Sequence, residues 1–121
     1  MIPPQQLDGG DPLIHFLHAN GYPPETYQSF LTYFTPRHGV IAPYLRPMWP
    51  DSTPQSVQDW TVFRDDMLRM LQEPERLQVD PRRLDESKGL IGMGHSIGAT
   101  VTLMAALKNP SWFRCLVLIE P

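Results

Sequence analysis

The sequence has little cysteine, no excess of positive charge and no long apolar run, and each shortage excludes a class of protein. Its single cysteine, Cys115, cannot form a disulfide within the chain, and its apolar neighbours predict a small buried residue. Ten basic and 13 acidic residues give a net charge of −3. This balance argues against nucleic acid as a partner, because phosphate binding needs a concentrated basic surface. No apolar run reaches roughly 18 residues, so neither a transmembrane helix nor a membrane partner is expected.

The remaining composition is that of one globular unit. Residues 1–6 lack a basic segment followed by an apolar one, so the sequence predicts no secretory signal and a cytoplasmic location. A length of 121 residues fits a single domain over residues 1–121. The 14 prolines form no continuous tract and separate segments of regular apolar spacing instead.

Apolar periodicity predicts alternating strands and helices. Four apolar segments are predicted to be buried strands: Leu13–Leu17, Val40–Leu45, Gly89–Met93 and Cys115–Ile119. Helical spacing indicates three helices between them, which are expected after Pro23, over Trp60–Leu71 and over Ala99–Lys108. The third is apolar almost all round, which predicts burial on most sides. The pattern predicts an α/β fold with an open, mostly parallel sheet of about four strands flanked by helices.

The most informative motif is Gly-His-Ser-Ile-Gly at residues 94–98, which matches G-x-S-x-G between a predicted strand and a predicted helix. A tight strand-to-helix turn needs small residues on both sides of the serine, and Gly94 and Gly98 supply them. Ser96 would then project its hydroxyl above the sheet, with a helix N-terminus behind it that favours developing negative charge. An alternative interpretation is that Ser96 is only an N-cap, a position where serine is preferred.

A second segment, Leu-His-Ala-Asn-Gly at residues 17–21, follows the first predicted strand. With this segment and the serine turn, the chain resembles the α/β-hydrolase superfamily over about residues 12–121. The resemblance implies that Ser96 is a nucleophile. It also implies an oxyanion hole formed by the backbone N–H groups of Asn20 and Ile97.

The resemblance leaves details of this site open. Ala19 replaces the usual glycine of the family, so the loop donor is Ala19, Asn20 or Gly21, and Asn-Gly pairs also favour an ordinary turn. By the same resemblance, His18 braces the loop by hydrogen bonding. His95 points into the core and is not the catalytic base.

The remaining triad members have weak or missing candidates. The resemblance maps the four strands onto the third to sixth of the eight-strand fold, and it implies the triad order Ser, acid, His. Glu120 lies where an acid occurs in some members, and no residue stands at the histidine position. We therefore expect a partial core without a cap domain. We also expect the first two, antiparallel strands of the fold to be missing or reduced in residues 1–11.

The function that the resemblance implies is a serine hydrolase acting on carboxylic esters or related acyl compounds, with a small-molecule acyl substrate as partner and without cofactor or metal. His15 and His18, three residues apart on a strand, would face opposite sides and make a poor metal pair. Lacking a base, the chain by itself is expected to show little turnover. Its last strand is expected to expose an edge that invites self-association. The alternative is a non-catalytic binding or assembly module on a hydrolase-like scaffold.

Overall fold

One mixed sheet organises the chain, in a computed structural model that describes residues 2–121. Its strands are β1 (Gln5–Leu7), β2 (Leu13–Leu17), β3 (Val40–Ala42), β4 (Leu90–His95) and β5 (Phe113–Ile119). The order across the sheet is β1-β3-β2-β4-β5. The pairs among β2, β3, β4 and β5 are parallel, whereas β1 runs antiparallel to β3. The predicted α/β fold with a mostly parallel sheet is confirmed, but β1 makes five strands instead of four.

Three α-helices connect the parallel strands: α1 (Gln28–Thr32), α2 (Thr61–Gln72) and α3 (Ile97–Lys108). The first is shorter than predicted, because a 3₁₀ turn over Pro24–Tyr27 takes up its beginning. The strand predicted over Val40–Leu45 ends at Ala42, since Pro43 has no N–H to continue the ladder. None of the helices within residues 2–121 has both the length and the apolar character needed to cross a membrane.

Each face of the sheet carries an apolar core. The alternation along β2 sends Leu13 and Leu17 to the face that α2 and α3 cover, and sends Ile14 and Phe16 to the face that α1 covers. All five residues of β2 are buried because the strand is central and has helices on both sides. This burial fixes the C-terminal end of β2, from which residues 18–21 emerge.

Four apolar residues are more exposed than their sequence neighbourhood predicts. Trp60 is 49% exposed because it precedes the first turn of α2. Leu103 and Leu107, at 38% and 76%, lie on the one side of α3 that is open to solvent, whereas most of the helix is buried or half-buried as predicted. Cys115 is exposed, so its predicted burial is wrong. The reason is that β5 is an edge strand, and α1, which covers its side of the sheet, packs over β2 and β3 rather than β5.

Candidate active site

Ser96 occupies the single residue between β4 and α3, in a backbone conformation that is costly for any residue except glycine. Its φ of 56° and ψ of −119° lie in a region that costs about 1–3 kcal/mol. The backbone N–H of Ser96 donates to the carbonyl oxygen of Ile119 at 2.9 Å. The side chain is exposed and makes no hydrogen bond to the helix, so the interpretation of Ser96 as a side-chain cap does not fit.

Two glycines allow this turn to form. A Cβ at Gly94 would come within 2.5 Å of the Ala99 nitrogen, and a Cβ at Gly98 would come within 2.6 Å of the His18 carbonyl oxygen. Contacts below 3.0 Å are essentially never seen for real Cβ atoms. The first turn of α3 therefore rests directly on the backbone at the end of β2. The serine turn and residues 17–21 are thus neighbours in space.

Residues 19–22 form a tight turn beside the serine. The Tyr22 N–H donates to the Ala19 carbonyl oxygen at 3.1 Å, and Gly21 takes a φ of 82° that favours glycine. The Ala19 N–H donates to the Tyr27 hydroxyl at 3.0 Å and is therefore occupied. The N–H groups of Asn20 and Gly21 make no hydrogen bond to another residue in 2–121. Of the three predicted alternatives, Asn20 and Gly21 are left as donors.

His18 holds this turn from inside the protein. The ring is 1% exposed, with Nε2 2.9 Å from the Leu45 nitrogen and Nδ1 2.7 Å from the Ala19 carbonyl oxygen. Because the Leu45 N–H can only donate, Nε2 accepts, and the proton is assigned to Nδ1, which donates to Ala19. Burial lowers the pKa of His18, which favours this neutral tautomer.

The hydrogen bonds to the Ala19 carbonyl oxygen also orient the backbone N–H of Asn20, because the two groups belong to the same planar peptide. The Ala19–Asn20 peptide is trans, so the Ala19 carbonyl and the Asn20 N–H point in opposite directions. His18 and Tyr22 fix the carbonyl, and the N–H is thereby aimed away from them. Ile97, at the first position of α3, also has an N–H without a partner in the described chain.

His95 lies on the same face of β4 as Ile91 and Met93, and its ring packs edge-on against the ring of Tyr27. Its side chain is 31% exposed at the edge of this core. Nδ1 lies 2.8 Å from the Tyr27 hydroxyl, and Nε2 lies 3.6 Å from a carboxylate oxygen of Glu120. Glu120 itself is largely exposed, at 83% of its side chain.

No histidine is hydrogen-bonded to Ser96 within residues 2–121. His15 is fully buried without a hydrogen-bond partner, and burial lowers its pKa to about 4. His38 lies 2.7 Å from the Pro12 carbonyl oxygen, in the loop before β3. Within residues 2–121 the structure therefore presents a serine and the unpartnered N–H groups of Asn20, Gly21 and Ile97, but no histidine hydrogen-bonded to the serine. Among the same residues, no three His, Cys, Asp or Glu side chains are grouped so that they could hold a metal ion.

Two open depressions are lined by residues of these segments. One lies beside the loop donor and is lined by Asn20, Pro47, Ser52, Thr53, Pro54 and Val57. The other is mostly apolar and is lined by Phe16, Tyr27, Phe30, His95 and Ile119. Sequence reasoning missed Tyr27, because its helical spacing with Phe30 indicates only a core position.

Comparison with known proteins identifies the fold. No profile of a protein family matches the sequence, and no curated protein matches it. Solved structures do match, including E-2-(acetamidomethylene)succinate hydrolase, with 22% identity and a TM-score of 0.72 over 95% of this chain. The thioesterase domain of the curacin biosynthetic pathway matches with 21% identity and a TM-score of 0.70 over 92%. The α/β-hydrolase domain-containing protein 10 from mouse matches with 19% identity and a TM-score of 0.64 over 94%.

The chain therefore has part of the α/β-hydrolase fold. It spans 39%, 38% and 44% of the lengths of these three proteins. At these identities the likeness describes the architecture alone. What the site does must be argued from its own residues.

Proposed function

We propose that this chain carries the nucleophile and the oxyanion hole of a serine hydrolase that acts on carboxylic esters or related acyl compounds. The observation that carries the proposal is the strained, exposed Ser96 at the N-terminus of α3, in a turn that rests on the loop of Asn20. The helix N-terminus and two free N–H groups favour negative charge at this place. Fold likeness to a hydrolase and to a thioesterase supports acyl chemistry.

In the proposed reaction, Ser96 Oγ attacks the acyl carbon, and the carbonyl oxygen becomes an oxyanion that accepts from the Asn20 and Ile97 N–H groups. Collapse of this intermediate expels the alcohol and leaves an acyl-serine, which water then hydrolyses to the acid. The hydroxyl proton must pass to a base and then to the leaving alcohol. In the proposed enzyme, this base is a histidine that the present chain does not place at Ser96. Glu120 is a weak candidate for the triad acid, because its carboxylate lies near His95 and not near a base at Ser96.

A second candidate function is a binding or assembly module that retains the scaffold without catalysis. The specific observation in its favour is that neither His18 nor His95 is free to accept a proton from Ser96. His18 uses both ring nitrogens within the loop, and His95 faces Tyr27 and Glu120. This candidate and the first differ in whether Ser96 can react.

A fluorophosphonate probe separates the two candidates. The 121-residue protein is treated with the probe in the presence and absence of imidazole, which replaces the missing base, and adducts are located by mass spectrometry. The enzyme proposal expects an adduct on Ser96, accelerated about tenfold or more by imidazole, since general bases contribute roughly 10²–10⁴-fold. Ser96→Ala should remove the adduct, whereas Ser29→Ala, which changes an exposed serine on α1, should not. No adduct on Ser96 under either condition would favour the scaffold.

A further inference from the structure

A chain of polar contacts connects β5 to the loop that carries Asn20. A Glu120 carboxylate oxygen lies 3.6 Å from His95 Nε2, His95 Nδ1 lies 2.8 Å from the Tyr27 hydroxyl, and this hydroxyl accepts the Ala19 N–H at 3.0 Å. This series of contacts joins three segments that are far apart in sequence. Its last member directly precedes the proposed oxyanion donor, Asn20.

The groups at the two ends of this series of contacts determine which atom donates and which accepts in each hydrogen bond. The Tyr27 hydroxyl accepts the Ala19 N–H, so its own proton is assigned to His95 Nδ1 as acceptor, and the proton of the neutral ring is then assigned to Nε2, on the side of the Glu120 carboxylate. The Tyr27 hydroxyl then donates to Nδ1 and keeps its oxygen lone pairs for the Ala19 N–H. Each group thus has one role, and the polarisation of one bond strengthens the next.

Two consecutive peptides of the loop are consequently held from opposite sides. Tyr27 holds the N–H of the His18–Ala19 peptide, whose carbonyl faces the first turn of α3 at Gly98. The ring of His18 holds the carbonyl of the next peptide, Ala19–Asn20. With both peptide planes fixed, the direction of the Asn20 N–H has little freedom left.

We infer that Tyr27 and His95 are positioning residues of the oxyanion loop, and that Glu120 orients His95 for this task. The inference rests on the proposed function for its catalytic meaning. Tyr27 also packs its ring against Phe16, with the ring centroids 4.7 Å apart. The ring and the hydroxyl are therefore separable, because Tyr27→Phe keeps the packing and removes only the hydrogen bonds.

The test compares Tyr27→Phe with Tyr33→Phe, a matched change of a tyrosine that is 87% exposed just after α1. Nitrogen-15 NMR of the 121-residue protein measures the hydrogen bonds of the loop without depending on any activity. In Tyr27→Phe we expect the Ala19 amide to exchange with solvent about tenfold faster or more and the His95 Nδ1 resonance to move. Tyr33→Phe should change neither. Unchanged Ala19 and His95 signals in Tyr27→Phe would overturn the inference.

The same variants are then treated with the fluorophosphonate and imidazole. We expect Tyr27→Phe to slow the adduct on Ser96 about tenfold. His95→Ala should slow it similarly, and His95→Asn, which keeps an acceptor near the Nδ1 position, should restore much of the rate. A wild-type rate in Tyr27→Phe would overturn the positioning role. If wild-type protein does not react at Ser96, the proposed function fails, and the NMR comparison alone decides whether the contact chain holds the loop.

Discussion

Gly98 lies so close to Leu17 that any side chain at position 98 would overlap the Leu17 carbonyl oxygen. This contact joins the first turn of α3 to the end of β2, and so joins the two segments that form the proposed site. The glycines of the G-x-S-x-G pattern therefore have a steric explanation that does not depend on catalysis.

Gly98→Ala should destabilise the protein by about 3 kcal/mol or more, because the overlap is with backbone atoms that cannot move aside. Alanine is otherwise the better helix former, so a loss of stability cannot come from helix propensity. The measurement is chemical denaturation. Gly21→Ala is the matched control: its φ is 82° but its Cβ would meet no atom within 4 Å, so only about 1 kcal/mol should be lost. Equal stability of Gly98→Ala and wild type would contradict the contact.

Ser96→Gly should be more stable than Ser96→Ala by about 1 kcal/mol. Alanine retains the penalty of a φ of 56°, whereas glycine adopts this conformation readily. Neither variant has a hydroxyl, so a comparison of their free energies of unfolding isolates the backbone strain. If Ser96→Ala equals or exceeds Ser96→Gly in stability, the turn is not strained in solution.

Stability should fall as the pH is lowered from about 6.5 to 4. Burial lowers the pKa of His15 to about 4, so in this window the unfolded chain binds a proton that the folded chain does not. If the contribution of His15 is lost completely, the free energy of unfolding falls by about 3 kcal/mol, since each pKa unit corresponds to about 1.4 kcal/mol. His18, whose pKa is also lowered by burial, acts in the same direction.

Denaturation curves recorded between pH 7.5 and 4.5 test this expectation. This range avoids the aspartates with lowered pKa values, such as Asp80, whose contribution is lost only at more acidic pH. His15→Leu should flatten most of the slope. It should also cost little at neutral pH, since the imidazole has no hydrogen-bond partner within residues 2–121. An identical slope in wild type and His15→Leu would show that His15 is not the group responsible.

The 121-residue protein should self-associate through β5, which is one of the two edge strands of the sheet in the described chain and is longer than the other, β1. An antiparallel pair of β5 strands centred on Val117 would place Arg114 opposite Glu120 of the second copy, so the charges are complementary. Sedimentation should show a dimer that Val117→Lys disrupts. The control Leu107→Lys, at an exposed position of α3, should leave it intact. A monomer at all concentrations would contradict the expectation.

The parts of the fold with strong periodicity were predictable from the sequence. Leu13–Leu17 forms β2 with the predicted bounds, because a short, continuous apolar run between turn residues is typical of a buried strand. β1 is a reduced antiparallel strand, in line with the expectation that such strands are missing or reduced in residues 1–11, but its place could not be predicted, since Gln5–Leu7 is short, mostly polar and held in place by pairing with β3. Its pairing partner lies 33 residues or more away in the sequence, beyond the reach of local patterns.

The side-chain contacts of the site were less predictable. The G-x-S-x-G pattern predicts the tight turn at Ser96 and the need for Gly94 and Gly98 beside it, because the steric requirements of a tight turn are local. The contact between Tyr27 and His95 spans 68 positions and depends on a hydroxyl that helical spacing treats as part of an apolar ring. Cys115 shows the same limit, since an apolar strand becomes exposed or buried only through what lies beside it.

In the proposed site, Ser96 attacks an acyl carbon whose oxygen accepts hydrogen bonds from the backbone N–H groups of Asn20 and Ile97. The most direct measurement is a crystal structure of the protein after reaction with the fluorophosphonate. We expect phosphorus on Ser96 Oγ and one phosphonyl oxygen about 2.7–3.1 Å from the backbone nitrogens of both Asn20 and Ile97. An adduct whose oxygens all point to solvent, or one attached to a different residue, would contradict it.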